Sequence, residues 1–149
     1  IGVNILTYIS DVCVNVSYAE GFGLSTLESM SCGKPIIALK TGGLTRQVVD
    51  HRDGSENGVA LPVEFQSLVG SQQVPYIYED YCSAETTADG FMKLFDMGHE
   101  KRVEIGKKAK AYVDAEFAHQ TTIDLWHDSL LKLVEEYDDK KQLWEMKEL

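Results

Sequence analysis

Residues 17–35 read SYAEGFGLSTLESMSCGKP. An apolar run, Val12 to Val16, leads in; Gly21 and Gly23 turn the chain; Leu24 to Ser31 then has the make-up of a short helix. Gly33 and Pro35 stop that helix, since Gly accepts the left-handed terminal conformation and Pro cannot continue the ladder. The first turn of such a helix carries unpaired backbone N–H groups and the positive end of the helix dipole, a natural seat for an anion. Glu20 stands just before the loop and Glu28 eight residues later, inside the helix. Two carboxylates do nothing favourable for the anion itself. They suit the hydroxyl groups of a sugar attached to it, because a carboxylate accepts the forked hydrogen bonds that vicinal diols donate. Ser25-Thr26-Leu27-Glu28 also fits a capping box, in which Ser25 and Glu28 satisfy the helix-start donors themselves. For Glu20 the plain alternative is a solvated loop acid.

Outward from this stretch the chain alternates. Val3 to Ser10 suits a helix, Val12 to Val16 a short buried strand rich in β-branched residues, and Pro35 to Leu39 a second buried strand. Thr41-Gly42-Gly43 turns into a short helix, Leu44 to Asp50, and after the turn-rich 52–58 a third strand runs from Val59 to Pro62. Strand, helix, strand, helix, strand predicts a parallel α/β sheet, whose ligands bind beyond the carboxyl ends of the strands. The Glu20 loop and the Gly42-Gly43 loop both fall there. Glu64 to Tyr78 breaks the rhythm and has no regular period, so it reads as a surface arm or a lid.

The remainder is helical. Ser83 caps a helix with Ala84, Ala88, Phe91, Met92 and Phe95 on one face, ended by Gly98. Lys101 to Glu116 follows with Ile105, Ala109, Tyr112 and Val113 inward. Thr122 to Tyr137 carries Ile123, Trp126, Leu130, Leu133, Val134 and Tyr137 at helical spacing, which reads as core. Asp138 to Leu149 is a charged tail in which an exposed Trp144 would mark a partner surface.

Charge narrows the partners. A net charge of −10 and a pI near 4.8, with no basic stripe, argue against nucleic acid or an anionic membrane surface. The odd set Cys13, Cys32 and Cys82 forms no CxxC pair and suits reduced thiols and a cytoplasmic setting. No stretch approaches a membrane span. The four histidines show no metal-ligand spacing, and neither a Walker A sequence, a G-x-G-x-x-G, a D-x-D nor a G-x-S-x-G occurs.

The ordered set S-x-x-E-G-F-G-L-x-x-L-E-x-M-x-C-G-K-P, then Ile36-Ile37-Ala38 and Gly42-Gly43-Leu44, resembles the donor-binding half of retaining nucleotide-sugar glycosyltransferases with two facing Rossmann-like domains. That group includes sucrose and glycogen synthases. The resemblance runs from Asp11 to about Tyr137, and its E-x7-E pattern falls on Glu20 and Glu28. It implies a Rossmann-like α/β sheet flanked by helices, truncated at its N-terminal side, with a helical C-terminal third. Residues 1–137 would be a partial donor-binding domain, with an insertion at 64–78, and residues 138–149 a tail.

The resemblance also implies roles. Glu28 would hold ribose hydroxyls; Glu20, with Gly21, Phe22 and Gly23, the donor sugar; the backbone amides of Leu24 and Ser25 the phosphates. Hexosyl transfer would proceed with retention, without a metal or cofactor, in a cleft closed by an N-terminal acceptor domain that also supplies cations for the diphosphate. Residues 1–149 alone would then be inactive. Where the family often has Gly-Gly-x-Pro-Glu, this chain has Gly42-Gly43-Leu44-Thr45-Arg46, a cation in place of the acid. A non-catalytic nucleotide-sugar module and a sugar-nucleotide epimerase of the same architecture are the alternatives.

Overall fold

The computed structural model describes residues 2–137. In order these form α1 (Gly2–Ile9), β1 (Cys13–Asn15), α2 (Leu24–Ser31), β2 (Ile36–Leu39), α3 (Leu44–Val48) and β3 (Gly58–Leu61). Then come β4 (Phe65–Ser71), β5 (Val74–Tyr81), α4 (Ala84–Asp96), α5 (Gly98–Glu116) and α6 (His119–Glu135). The chain divides into two units, Ile1–Asp114 and Ala115–Leu149. The predicted tail with Trp144 lies outside the described residues.

The first unit is built on a parallel sheet of order β1-β2-β3, with Cys13 opposite Ile36 and Ile36 opposite Gly58. All four residues of β2 are buried, as an apolar run covered on both faces requires. Because side chains alternate along a strand, Ile37 and Leu39 share one face. They join Val59, Leu61 and Leu94 of α4 in one apolar cluster. Helices α2 and α3 lie against β2, and α4 lies against β3. The expected strand at Val12 to Val16 is present but only partly buried: β1 is the edge of this sheet, and Val14 and Val16 are exposed.

Three further expectations need correction. Residues 65–81 are an antiparallel hairpin, β4 against β5, with Phe65 opposite Tyr81 and an irregularity between Val69 and Ser71. Its period was invisible because the hairpin is exposed on both faces, so no inward side selects apolar residues. Ser83 does cap α4, its hydroxyl accepting the Thr86 N–H at 3.1 Å. The helix nonetheless packs through Gly90 and Leu94, while Ala84, Ala88, Phe91, Met92 and Phe95 face outward. In α5 the expected side is inward: Ala109, Tyr112 and Val113 are buried. In α6 no residue is buried, so the aromatic and aliphatic stripe from Ile123 to Tyr137 is exposed instead of core.

Candidate functional site

The chain leaves β1 through Tyr18, Ala19 and Glu20, and leaves β2 through Lys40, Thr41, Gly42 and Gly43. Both segments lie at the carboxyl edge of the sheet, where they are joined. The Gly43 N–H donates to the Glu20 carbonyl at 2.9 Å, and the Thr41 hydroxyl lies 3.5 Å from the Tyr18 carbonyl. Gly42 has a φ of +44°, and a β-carbon there would overlap the Glu20 carbonyl oxygen. A β-carbon on Gly43 would stand 2.6 Å from the Phe22 Cα. Only glycines let the two backbones approach this closely.

Gly23 enters α2 at a φ of +87° and is its N-cap, with no side-chain cap. Leu24 is therefore the first helical residue, and Ser25 lies inside the helix. The capping-box alternative fails for that reason: Ser25 is two positions too far along to cap, and the left-handed Gly23 turns the chain in its place. Thr26, not Ser25, turns back, its hydroxyl oxygen 2.7 Å from the Gly23 carbonyl. The Leu24 and Ser25 N–H groups make no hydrogen bond among the described residues. Glu28 is exposed, and its carboxylate makes no hydrogen bond or ion pair there. Glu20 is half-buried, with the Phe22 N–H 3.4 Å from its Oε1. The structure thus brings Glu20, Gly21, Phe22, Gly23, Leu24 and Ser25 to one edge, with Glu28 one helical turn further on.

The far end of α2 closes as its sequence predicts. Gly33, at a φ of +71°, donates to the Met30 carbonyl at 2.8 Å, and Lys34 donates to the Ser29 carbonyl at 3.0 Å. This is the paired closure of a Schellman turn.

One residue that fixes the loop escaped sequence reasoning. Gln47 on α3 is 1 % exposed. Its Nε2 donates to the Phe22 carbonyl, and its Oε1 accepts from the Thr26 hydroxyl. A buried amide spanning two elements ties the Gly-Phe-Gly loop to α3, and each buried partner is satisfied. A glutamine near the end of a five-residue helix gives no such signal in sequence. Arg46 points its guanidinium at His51 Nε2, 3.3 Å away. His51 Nδ1 lies 3.0 Å from the Tyr112 hydroxyl, which donates to the Arg46 carbonyl at 2.7 Å. Just beyond, Arg52 clasps the Asp50 carboxylate at 2.7 Å and holds its pKa down at about 2.

Among the described residues, His, Cys, Asp and Glu form no group of three or more able to hold a metal ion. No helix among them is long and apolar enough to cross a membrane.

A parallel three-stranded sheet with helices packed against it and a glycine-locked loop edge places the chain in the Rossmann-like α/β class. The sequence model of the family described as "Glycosyl transferases group 1" matches residues 3–112, and the chain belongs to that family. It is 49 % identical over 45 residues to a D-inositol 3-phosphate glycosyltransferase of an Arthrobacter species, covering 30 % of this chain and 11 % of that protein. A D-inositol 3-phosphate glycosyltransferase 2 of Catenulispora acidiphila is 44 % identical over 73 residues, 48 % of this chain and 17 % of that protein. A trehalose synthase of Pyrococcus horikoshii is 44 % identical over 52 residues, 35 % of this chain and 12 % of that protein. The matches thus span 17 % or less of these relatives' lengths. Among solved structures, sucrose-phosphate synthase from Thermosynechococcus elongatus aligns with a TM-score of 0.63 at 25 % identity, over 87 % of this chain and 27 % of that one.

Proposed function

We propose that this chain forms the donor-binding wall of a glycosyltransferase that moves a hexosyl unit from a nucleotide diphosphate sugar with retention at the anomeric carbon. The observation that carries the reading is the start of α2. Among the described residues, Leu24 and Ser25 present unpaired N–H groups at a helix N-terminus flanked by Glu20 and by Glu28, whose carboxylate has no partner there. A nucleotide diphosphate sugar has the matching polarity: an anionic centre with hydroxyl-bearing rings on either side.

In this reading the Leu24 and Ser25 amides take phosphate oxygens, and Glu28 accepts hydrogen bonds from the ribose hydroxyls. Glu20, with the backbone of Gly21, Phe22 and Gly23, takes the sugar. Negative charge grows on the leaving diphosphate as the glycosidic bond breaks. Fixed amides aimed at it stabilise that charge without reorganising, so they act more strongly on the transition state than on the bound donor. With a chain net charge of −10, this local field has to be supplemented by cations from a facing domain, which also places the acceptor. No metal, cofactor or proton-transferring side chain of this chain takes part, and the protein works in the cytoplasm.

Titration calorimetry of the protein with UDP-, GDP- and ADP-glucose tests the assignment. Glu28→Ala should weaken the donor that binds by about 1.5–3 kcal/mol, the scale of hydrogen bonds to a charged group, and Glu28→Gln should recover part of the loss. Wild-type binding and turnover in both variants would remove Glu28 from the site.

A further inference from the structure

The β4–β5 hairpin is attached at the donor edge and nowhere near its own tip. Asp80, near the end of β5, donates its backbone N–H to the Tyr18 carbonyl at 2.7 Å. Its carboxylate accepts from the Gln66 side-chain amide at 2.5 Å across the hairpin. The next residue, Tyr81, lays its ring against Tyr18 with centroids 4.2 Å apart, and Phe65 stacks on Tyr81 at 4.7 Å. Tyr18 is two residues before Glu20, whose own carbonyl is held by Gly43. The Glu20 segment is therefore gripped on one side by the hairpin and on the other by the Gly42-Gly43 loop. Beyond this base the hairpin exposes Leu68, Tyr76, Ile77 and Tyr78.

We infer that the hairpin is a clamp on the donor edge, and that Asp80 is a positioning residue that sets Glu20 for recognition of the donor sugar while touching no part of the donor itself. Asp80 is suited to this because it joins loop and hairpin at once: its backbone N–H holds Tyr18, and its carboxylate holds Gln66 on the facing strand. Tyr81 adds ring contact that resists sliding of the Tyr18 segment along β5. The inference rests on the donor-site reading, and specifically on Glu20 facing the sugar.

Calorimetry with UDP-glucose and with UDP separates the possibilities, with the GDP or ADP pair substituted if that donor binds. Asp80→Ala should weaken the nucleotide sugar about tenfold while leaving the nucleoside diphosphate within about twofold, because Glu20 serves only the sugar. Asp80→Asn keeps an acceptor for Gln66 and should restore most of the affinity. Tyr81→Leu, which removes the ring contact on Tyr18, should show the same selective loss and stands in should Asp80→Ala fail to fold. In a Glu20→Ala background Asp80→Ala should cost nothing further. Equal weakening of sugar donor and diphosphate, or additive losses in the double variant, would overturn the clamp. So would normal binding by Asp80→Ala and Tyr81→Leu when Glu20→Ala is impaired, and that outcome would leave the donor reading standing. If Glu20→Ala itself binds the sugar donor normally, the donor role of Glu20 falls first.

Discussion

The two loops at the carboxyl edge and the hairpin clamped beside them are held in opposite ways. In the loops, backbone meets backbone. Gly43 bonds Glu20, Gly42 leaves no room for a side chain, and the buried Gln47 ties Phe22 to Thr26. Among the described residues, the hairpin is fixed at its base, through Asp80, Tyr81 and the Glu64 carboxylate, which takes the Ser83 N–H at 3.1 Å. An isolated pair of strands is marginal in water, so the hairpin's order comes from those anchors. A site needs both kinds of element: one that cannot move, to define geometry, and one that can be adjusted without unfolding the sheet.

The contrast is easiest to break at Gly42. Gly42→Ala adds left-handed strain to an overlap with the Glu20 carbonyl that only displacement of Glu20 relieves. We expect a loss on the order of 4 kcal/mol in urea denaturation, with donor binding abolished. A stable variant that binds donor normally would show that the loops are not locked. The next largest effect is expected in α4. Leu94→Ala, at a site 3 % exposed, should cost about 3 kcal/mol, whereas Phe95→Ala, at 71 % exposed, should stay within about 0.5 kcal/mol. Reversed magnitudes would mean that the outward face of α4 is the packed one. The smallest effect belongs to the hairpin's outer half. Tyr76→Ser should change the unfolding free energy by less than about 0.5 kcal/mol, and a loss above 2 kcal/mol would show that the arm is buried in solution.

These differences explain what was readable in the sequence. The strand-helix-strand alternation was legible because each element carries its own local mark: the apolar run of β2, and the glycine and proline that end α2. The helix expected from Leu24 to Ser31 has those limits in the structure. Glu20 to Ser25 and the Gly42-Gly43 turn lie together at the carboxyl edge of the sheet, where the strand-helix alternation predicts both loops. Faces were harder. Helix α4 packs through a glycine, which hydrophobic periodicity cannot see, so the eye follows Phe91 and Phe95 instead. The stripe of α6 has an apolar period that no buried face answers within the described residues. Gln47 was missed because a polar residue on a short helix looks solvated until two partners from other elements enclose it.

Gly106, in the middle of α5, has a mechanical meaning. A β-carbon there would overlap the Gly33 carbonyl, so the helix rests with bare backbone on the turn that closes α2. A glycine inside a helix costs about 1 kcal/mol against alanine; here that cost removes all cushioning between two rigid pieces. The contact works as a fulcrum. Any tilt of α5 has to act against Gly33, at the closing turn of the 8-residue α2 whose other end carries Leu24 and Ser25.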